Sequence, residues 1–241
     1  ALMKEEMLEV NEIVGAGDLK RASGVYEAYP HITYDGNYHI EDVKRVVVVS
    51  SFSFNNTSSI GTFAHELGHL IKAYKREFTI EGDILIKRSG LIVEKYKLEY
   101  QDGMVKKTLL SKENTGLEEG FNSCFEEEFM KEYYDPNYQS HGYAGVLLVA
   151  HILLDRFSLK EIVLNSQINK DDRSFIESIG SNHFHELTTL ADQIYKLDLA
   201  MYASIFNPQE FEKYREEREK LIHEDYLALY NKIKEDRVKG I

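Results

Sequence analysis

The pentapeptide His65-Glu66-Leu67-Gly68-His69 sets two imidazoles four residues apart, with a carboxylate beside the first. On an α-helix such residues share a face one turn apart, so both rings can address a single metal ion. Glu66 would then reach a water on that ion without being a ligand. Zinc held by three protein groups keeps a fourth position for water and lowers its pKa toward about 7. A neighbouring carboxylate can take the proton as water attacks a carbonyl and deliver it to the leaving amine. The pattern predicts His65 and His69 as metal ligands and Glu66 as the general base.

A third ligand must come from elsewhere in the chain. The metzincin pattern would need Gly and His three and six residues after the second histidine; Lys72 and Lys75 stand there, which excludes it. The segment Thr115-Gly116-Leu117-Glu118-Glu119-Gly120-Phe121-Asn122-Ser123-Cys124-Phe125-Glu126 offers two glutamates. Thr115 and Glu118 have the spacing of a capping box, which gives Glu118 a structural task and leaves Glu119 for the metal. Glu118 itself and His141 remain alternatives. Ser123 and Glu126 fall on the helical face of Glu119 and are expected to support the histidines from behind.

The elements that position these residues follow from periodicity. Ile60, Phe63, Ala64, Leu67, Leu70 and Ile71 predict a helix over 60–74, capped by Ser58 or Ser59. Val46-Val47-Val48-Val49, then alternating Ser51-Phe52-Ser53-Phe54, predicts a strand over 43–54 with an interior first half. Such a strand could offer a backbone edge to an extended peptide, although its four valines argue against that. Residues 1–20 resemble a short helix ending near Gly15 and Gly17. Between Phe78 and Leu110 the pattern turns to strands over 80–86, 91–100 and 105–110, with Asp102-Gly103 as a two-residue turn. Beyond Asn114, helices are expected over 115–134, 144–157, 186–206 and 208–237, the last capped by Asn207 with Pro208 at its first position. The fold class is therefore α+β: a sheet lobe over about 1–112 that includes the motif helix, then a helical lobe over about 113–241, together one catalytic domain.

His65-Glu66-Leu67-Gly68-His69 followed by Glu119-Gly120-Phe121 resembles the gluzincin group of zinc metallopeptidases. The resemblance is local to the two motif helices. It implies a zincin-like fold, a Zn²⁺ cofactor held by His65, His69 and Glu119, and peptide-bond hydrolysis. Glu126 matches an acidic residue often found seven positions after the third ligand. A Tyr or His downstream commonly serves the carbonyl oxygen in that group. Tyr133, Tyr134, Tyr138, His141 and Tyr143 are available, and Tyr143, just ahead of the 144–157 helix, is expected to take the role. Two departures bear on specificity. The interval from His69 to Glu119 is longer than in the aminopeptidase branch, and Glu118 replaces the usual Asn. The exopeptidase specificity of that branch is therefore not carried over, and an endopeptidase acting on a peptide or protein is the expectation.

Composition narrows the alternatives. The 241 residues carry a formal charge of −12, which repels phosphate backbones and disfavours nucleic acid as a partner. The single cysteine, Cys124, allows no internal disulfide and no Cys-rich zinc site; it reads as a small buried residue behind the ligand helix. The longest apolar run, Ala144 to Leu154, is too short to span a membrane and is interrupted by His151. No signal segment opens the chain, which points to the cytoplasm, or to secretion or surface anchoring if the chain is trimmed upstream of Ala1. Oligomeric state is not legible. His151 reads as a hydrogen-bonded core histidine, His183 and His185 as a surface pair ahead of a helix, and Glu126-Glu127-Glu128 and Glu212–Lys220 as mainly solvated faces. Two other functions compete: a zinc-binding protein of the same fold without turnover, and a zinc hydrolase of non-peptide amides. Peptide deformylase shares the motif helix but draws a cysteine ligand from before it, whereas Cys124 follows.

Overall fold

The structure, a computed structural model, describes residues 12–14 (backbone alone), 24–49, 56–73, 77–140 and 142–239. It is mixed α+β, with small sheets and a helical C-terminal part. The chain divides into two units, one of residues 1–89, 93–112 and 128–138, the other of residues 90–92, 113–127 and 139–241.

In the first unit, β1 (Glu12–Val14), β2 (Gly24–Tyr34) and β3 (Tyr38–Val49) form a sheet in the order β1-β3-β2. The predicted N-terminal helix gives way at residues 12–14 to a strand, paired in parallel with Val46–Val48. Ile13 and Val14 suit a pleated surface, and an available partner edge overrides a weak helical pattern. The rest of that predicted helix lies outside the described residues, as do positions 50–55 of the predicted strand. The valine run behaves as its composition suggests: Val46, Val47 and Val49 are buried. Since Val46–Val48 pair on both sides, β3 offers no open edge at those residues for the peptide-docking role considered for it; positions 50–54 of that stretch lie outside the described residues.

β2 escapes the sequence pattern because Glu27, Pro30 and His31 break its apolar alternation. Pro30 has no N–H to give, and it is accommodated because β2 ends the sheet order among the described residues, with a register shift between His31 and Ile32. Asp35-Gly36-Asn37 close the β2–β3 hairpin, with Gly36 at a φ of 112°.

The motif helix, α1 (Thr57–Ala73), begins three residues before the predicted start. Its cap is Asn56, not Ser58 or Ser59: the Asn56 Oδ1 accepts from the Ser58 and Ser59 amides at 3.0 and 3.4 Å. Leu70 and Ala73 seat α1 on Tyr26, Val47 and Val49. The buried Glu77 carboxylate accepts from the Tyr26 hydroxyl at 3.0 Å and from Arg45 Nε at 3.1 Å. It follows α1 and leads into the second sheet.

That sheet runs in the order β4-β5-β6-β7, from Phe78–Glu81, Ile84–Ser89, Ile92–Gln101 and Met104–Glu113. The single strand predicted over 80–86 is two antiparallel strands. Glu81-Gly82-Asp83 holds the missed turn, with Gly82 at φ 64°. Asp102 and Gly103 turn as expected, both at positive φ. The predicted helix over 115–134 is α2 (Thr115–Tyr133). Its last turns belong to this unit, where Met130, Tyr138 and Phe129 cluster with Ile60 of α1.

Among its described residues, the second unit holds the first turns of α2 and six further helices. These are α3 (Ala144–His151, continued by a π-helical turn over Ile152–Arg156), α4 (Lys160–Asn169), α5 (Arg173–Ile179), α6 (Ser181–Ala203), α7 (Pro208–Lys220, continued by a π-helical turn over Leu221–Tyr226) and α8 (Leu227–Lys239). Leu117, Phe121, Val149, Leu153, Phe175 and Leu187 lie at the heart of one apolar cluster. The short α4 and α5 were not foreseen, because neither carries a sustained apolar stripe. α6 starts at Ser181, so His183 and His185 lie inside a helix rather than ahead of it. Asn207 caps α7 as expected, accepting from the Glu210 amide, and α7 buries none of its residues. No helix among the described residues is long and apolar enough to cross a membrane.

Candidate metal centre

Amphipathic periodicity turns α1 onto the β2–β3 sheet and places His65, Glu66 and His69 in buried positions, at 8, 7 and 7 % exposure. The two rings lie 5.1 Å apart between centroids and meet edge to face at 70°. This is the arrangement an i, i+4 pair adopts when both side chains lean the same way.

Glu119 arrives on α2, whose C-terminal turns are fastened to α1 through Met130 and Ile60. Its other face is shaped by glycine. A Cβ on Gly116 would lie 2.1 Å from the Ala191 carbonyl oxygen, and one on Gly120 would lie 2.4 Å from that of Val146. Cys124, one turn further on, is 3 % exposed in the same apolar cluster, as its small size suggested. Close backbone packing of Gly116 and Gly120 on α6 and α3 fixes the rotation of α2 about its axis. One ligand atom each of His65, His69 and Glu119 lies within 4.8 Å of the others. Ligands of a tetrahedral ion with bonds of about 2.1 Å sit about 3.4 Å apart, a spacing that falls within that limit. Two imidazoles and one carboxylate, largely buried, form a group that can hold a metal ion.

The other glutamates of α2 are engaged differently. Glu118 is fully buried; its carboxylate accepts from the Leu91 amide at 2.9 Å and the Gln167 side-chain amide at 2.7 Å. It braces the turn before β6, a task that the expected capping box does not describe. Gly90 has a φ of 59°, and a Cβ there would lie 2.4 Å from the Glu118 carboxyl, so that turn needs glycine twice over. Glu127, read from sequence as solvated, is 5 % exposed, accepts from the Ser140 amide and faces His151 Nε2 at 3.3 Å. His151 is in turn a half-buried partner of that carboxylate, not a core histidine. Glu126 is buried and accepts from the Ser140 hydroxyl at 2.9 Å. The Ser123 hydroxyl is buried with no hydrogen-bond partner.

Tyr143 immediately precedes α3 with φ and ψ both at 47°, the left-handed region that a bulky side chain rarely adopts. Its ring packs on Tyr195 at 5.0 Å. The buried Asp198 secures the helix start behind it, accepting from the Gly145 and Val146 amides and from Arg218 Nη1 at 2.8 Å. Burial raises the Asp198 pKa; Arg218 and the two amides oppose the rise without cancelling it. Of the other tyrosines weighed for the carbonyl side, Tyr133 and Tyr134 are exposed, and Tyr138 is buried beside Ile60. His141 lies outside the described residues. His183 pairs with Asp236 at 2.9 Å.

One residue that the motif did not reveal is Gly24. A Cβ there would sit 2.9 Å from Glu66 Cγ and 2.6 Å from Thr62 Cγ2, so the start of β2 lies directly against Glu66. A glycine opening a strand is the available signal for such an approach, but it does not name the partner. No protein-family model, curated protein or solved structure matches the chain.

Proposed function

We propose that this protein is a zinc-dependent peptidase of gluzincin type with a zincin-like catalytic domain, cleaving within peptide chains. The observation that carries the reading is the convergence of His65, His69 and Glu119 ligand atoms within 4.8 Å, with Glu66 next in sequence to His65. The donor set suits zinc: imidazole nitrogen and carboxylate oxygen, with one compensating negative charge, as in catalytic His₂Glu sites. Bound there, zinc would supply Lewis acidity and lower the pKa of water.

The chain's own residues do the rest. Glu66, 7 % exposed, accepts a proton from water and returns it to the leaving nitrogen. Gly24 keeps the β2 backbone against that carboxylate and limits its rotamers. Tyr143 is assigned to donate to the carbonyl oxygen. Backbone strain of its kind collects at functional positions, and Asp198 and Tyr195 hold the segment in place. Ser123 lies one helical turn beyond Glu119 with a buried hydroxyl that has no partner, and it is assigned to support the Glu119 carboxylate when metal is bound.

The test is a peptide-library digest read by mass spectrometry, alongside zinc analysis. The wild-type protein is expected to hold about one equivalent of zinc and to cleave. Glu66→Gln is expected to keep the metal and lose about 10²–10⁴-fold in rate, the usual worth of a general base. A protein that purifies without zinc, with His65→Ala indistinguishable from wild type, overturns the reading. Full zinc occupancy with no cleaved product favours a binding protein instead.

A further inference from the structure

Two outer strands of the first unit border a groove of about 550 Å³. β2 closes one end of its sheet order and β7 closes one end of the other, among the described residues. Every residue from 30 to 34 of β2 lines the groove, and so do 103–105 at the start of β7. Above a sheet face only alternate residues would contribute, because successive side chains point to opposite sides. The groove therefore follows strand edges, where outward N–H and C=O groups are open to a further strand. Its length along 30–34 is about 13 Å at about 3.3 Å per residue, room for roughly five extended residues.

The walls indicate what would lie there. Tyr34 and Tyr100 stack at 4.8 Å and 27°, yet remain 39 and 46 % exposed, and Met104 is 62 % exposed. None of the lining residues is acidic, although the chain as a whole carries −12. Lys107 lines the groove; partial burial, with the nearby Lys87 charge, holds its ammonium below the usual lysine range. An incoming carboxylate would compensate both effects.

We propose that this groove binds an extended peptide segment bearing acidic side chains, added as a strand along the β2 and β7 edges. Ladder hydrogen bonds supply affinity, the tyrosine pair and Met104 take alternate apolar side chains, and Lys107 selects for acid. β2 begins beside Glu66 at Gly24, six residues before Pro30, about 20 Å away at strand spacing. The segment is thus gripped at a distance from the hydrolytic centre. Its being part of a substrate rests on the peptidase reading; its binding does not.

Binding is measured by fluorescence anisotropy on the full-length Glu66→Gln protein with zinc. The probes are a labelled heptapeptide of alternating valine and glutamate, its valine–lysine counterpart, and a valine–glutamate form N-methylated at alternate residues. The acidic peptide is expected to bind at least tenfold more tightly than either of the others. Lys107→Glu, a change on the wall of the groove, should abolish that preference with Tm unchanged. Equal affinity for the acidic and basic peptides, no loss on N-methylation, or an indifferent Lys107→Glu protein overturns the proposal. If the wild-type protein cleaves a library while the groove fails these tests, the peptidase reading stands and the groove does not.

Discussion

Replacing Gly120 by alanine probes how α2 presents Glu119, and the two effects in play have opposite signs. Alanine is the better helix former by about 1 kcal/mol, so a glycine merely tolerated in α2 should stabilise the protein when replaced. The new Cβ would, however, lie 2.4 Å from the Val146 carbonyl oxygen and 3.0 Å from its carbon, against an ordinary contact distance of 3.4 Å or more. Relief requires α2 to retreat by about 1 Å from a helix backbone that cannot rotate away. Overpacking of this kind costs about 1–3 kcal/mol, which outweighs the propensity gain over most of its range.

The net loss, up to about 2 kcal/mol, corresponds to a fall in Tm of up to about 8 °C for a chain of this size. Calorimetric melts of the metal-free protein measure it, with Gly142→Ala as control, since a Cβ at Gly142 meets nothing within 4 Å. A second readout is zinc affinity by competition with a chromophoric chelator. Glu119 adjoins Gly120, so a displaced α2 should weaken binding at least tenfold, while the control stays at wild-type affinity. A Gly120→Ala protein melting at or above wild type would refute the claim that close backbone packing sets the rotation of α2.

Other perturbations separate the carboxylates and hydroxyls around the centre. Ser123→Ala removes a buried hydroxyl that has no partner, so the metal-free Tm should hold or rise by the equivalent of about 1 kcal/mol. If Ser123 supports Glu119, zinc affinity should drop about tenfold, and unchanged affinity disproves that role. Glu118→Ala strips the Leu91 amide and the Gln167 side chain of their acceptor and should cost about 3 kcal/mol in urea unfolding. Glu94 gives a pH signature. Burial favours its neutral form, yet Lys87, the Tyr96 hydroxyl and Lys112 outweigh it and lower the pKa below the usual glutamate value. A lowered folded pKa means stability fully present above the unfolded value of about 4.3 and lost as pH falls through the folded one. The Tm gap between wild type and Glu94→Gln should therefore narrow between pH 6 and pH 3, and a constant gap contradicts the assignment.

What the sequence makes legible is whatever a single period encodes. The apolar positions of α1 and the spacing of His65 and His69 both follow the 3.6-residue turn, so helix and ligand pair could be read together. Asp102-Gly103 was readable because one dipeptide carries its own backbone preference. β2 was not, because Pro30 breaks its alternation and is tolerated only on an outer strand, a fact of sheet order. The α2 glutamates show the limit most sharply. Periodicity puts Glu119, Ser123 and Glu126 on one face, but says nothing of what each meets. Glu118 is occupied by donors from residues 91 and 167, Glu127 by Ser140 and His151, and Glu126 by the Ser140 hydroxyl. Glu127 looked solvated because its neighbours in sequence are charged, whereas its burial comes from a segment 13 or more residues away. Glu119 is the α2 carboxylate placed beside two imidazoles. The helix period narrows the choice of third ligand to a face, and the packing of Gly116 and Gly120 on neighbouring backbone decides where that face points.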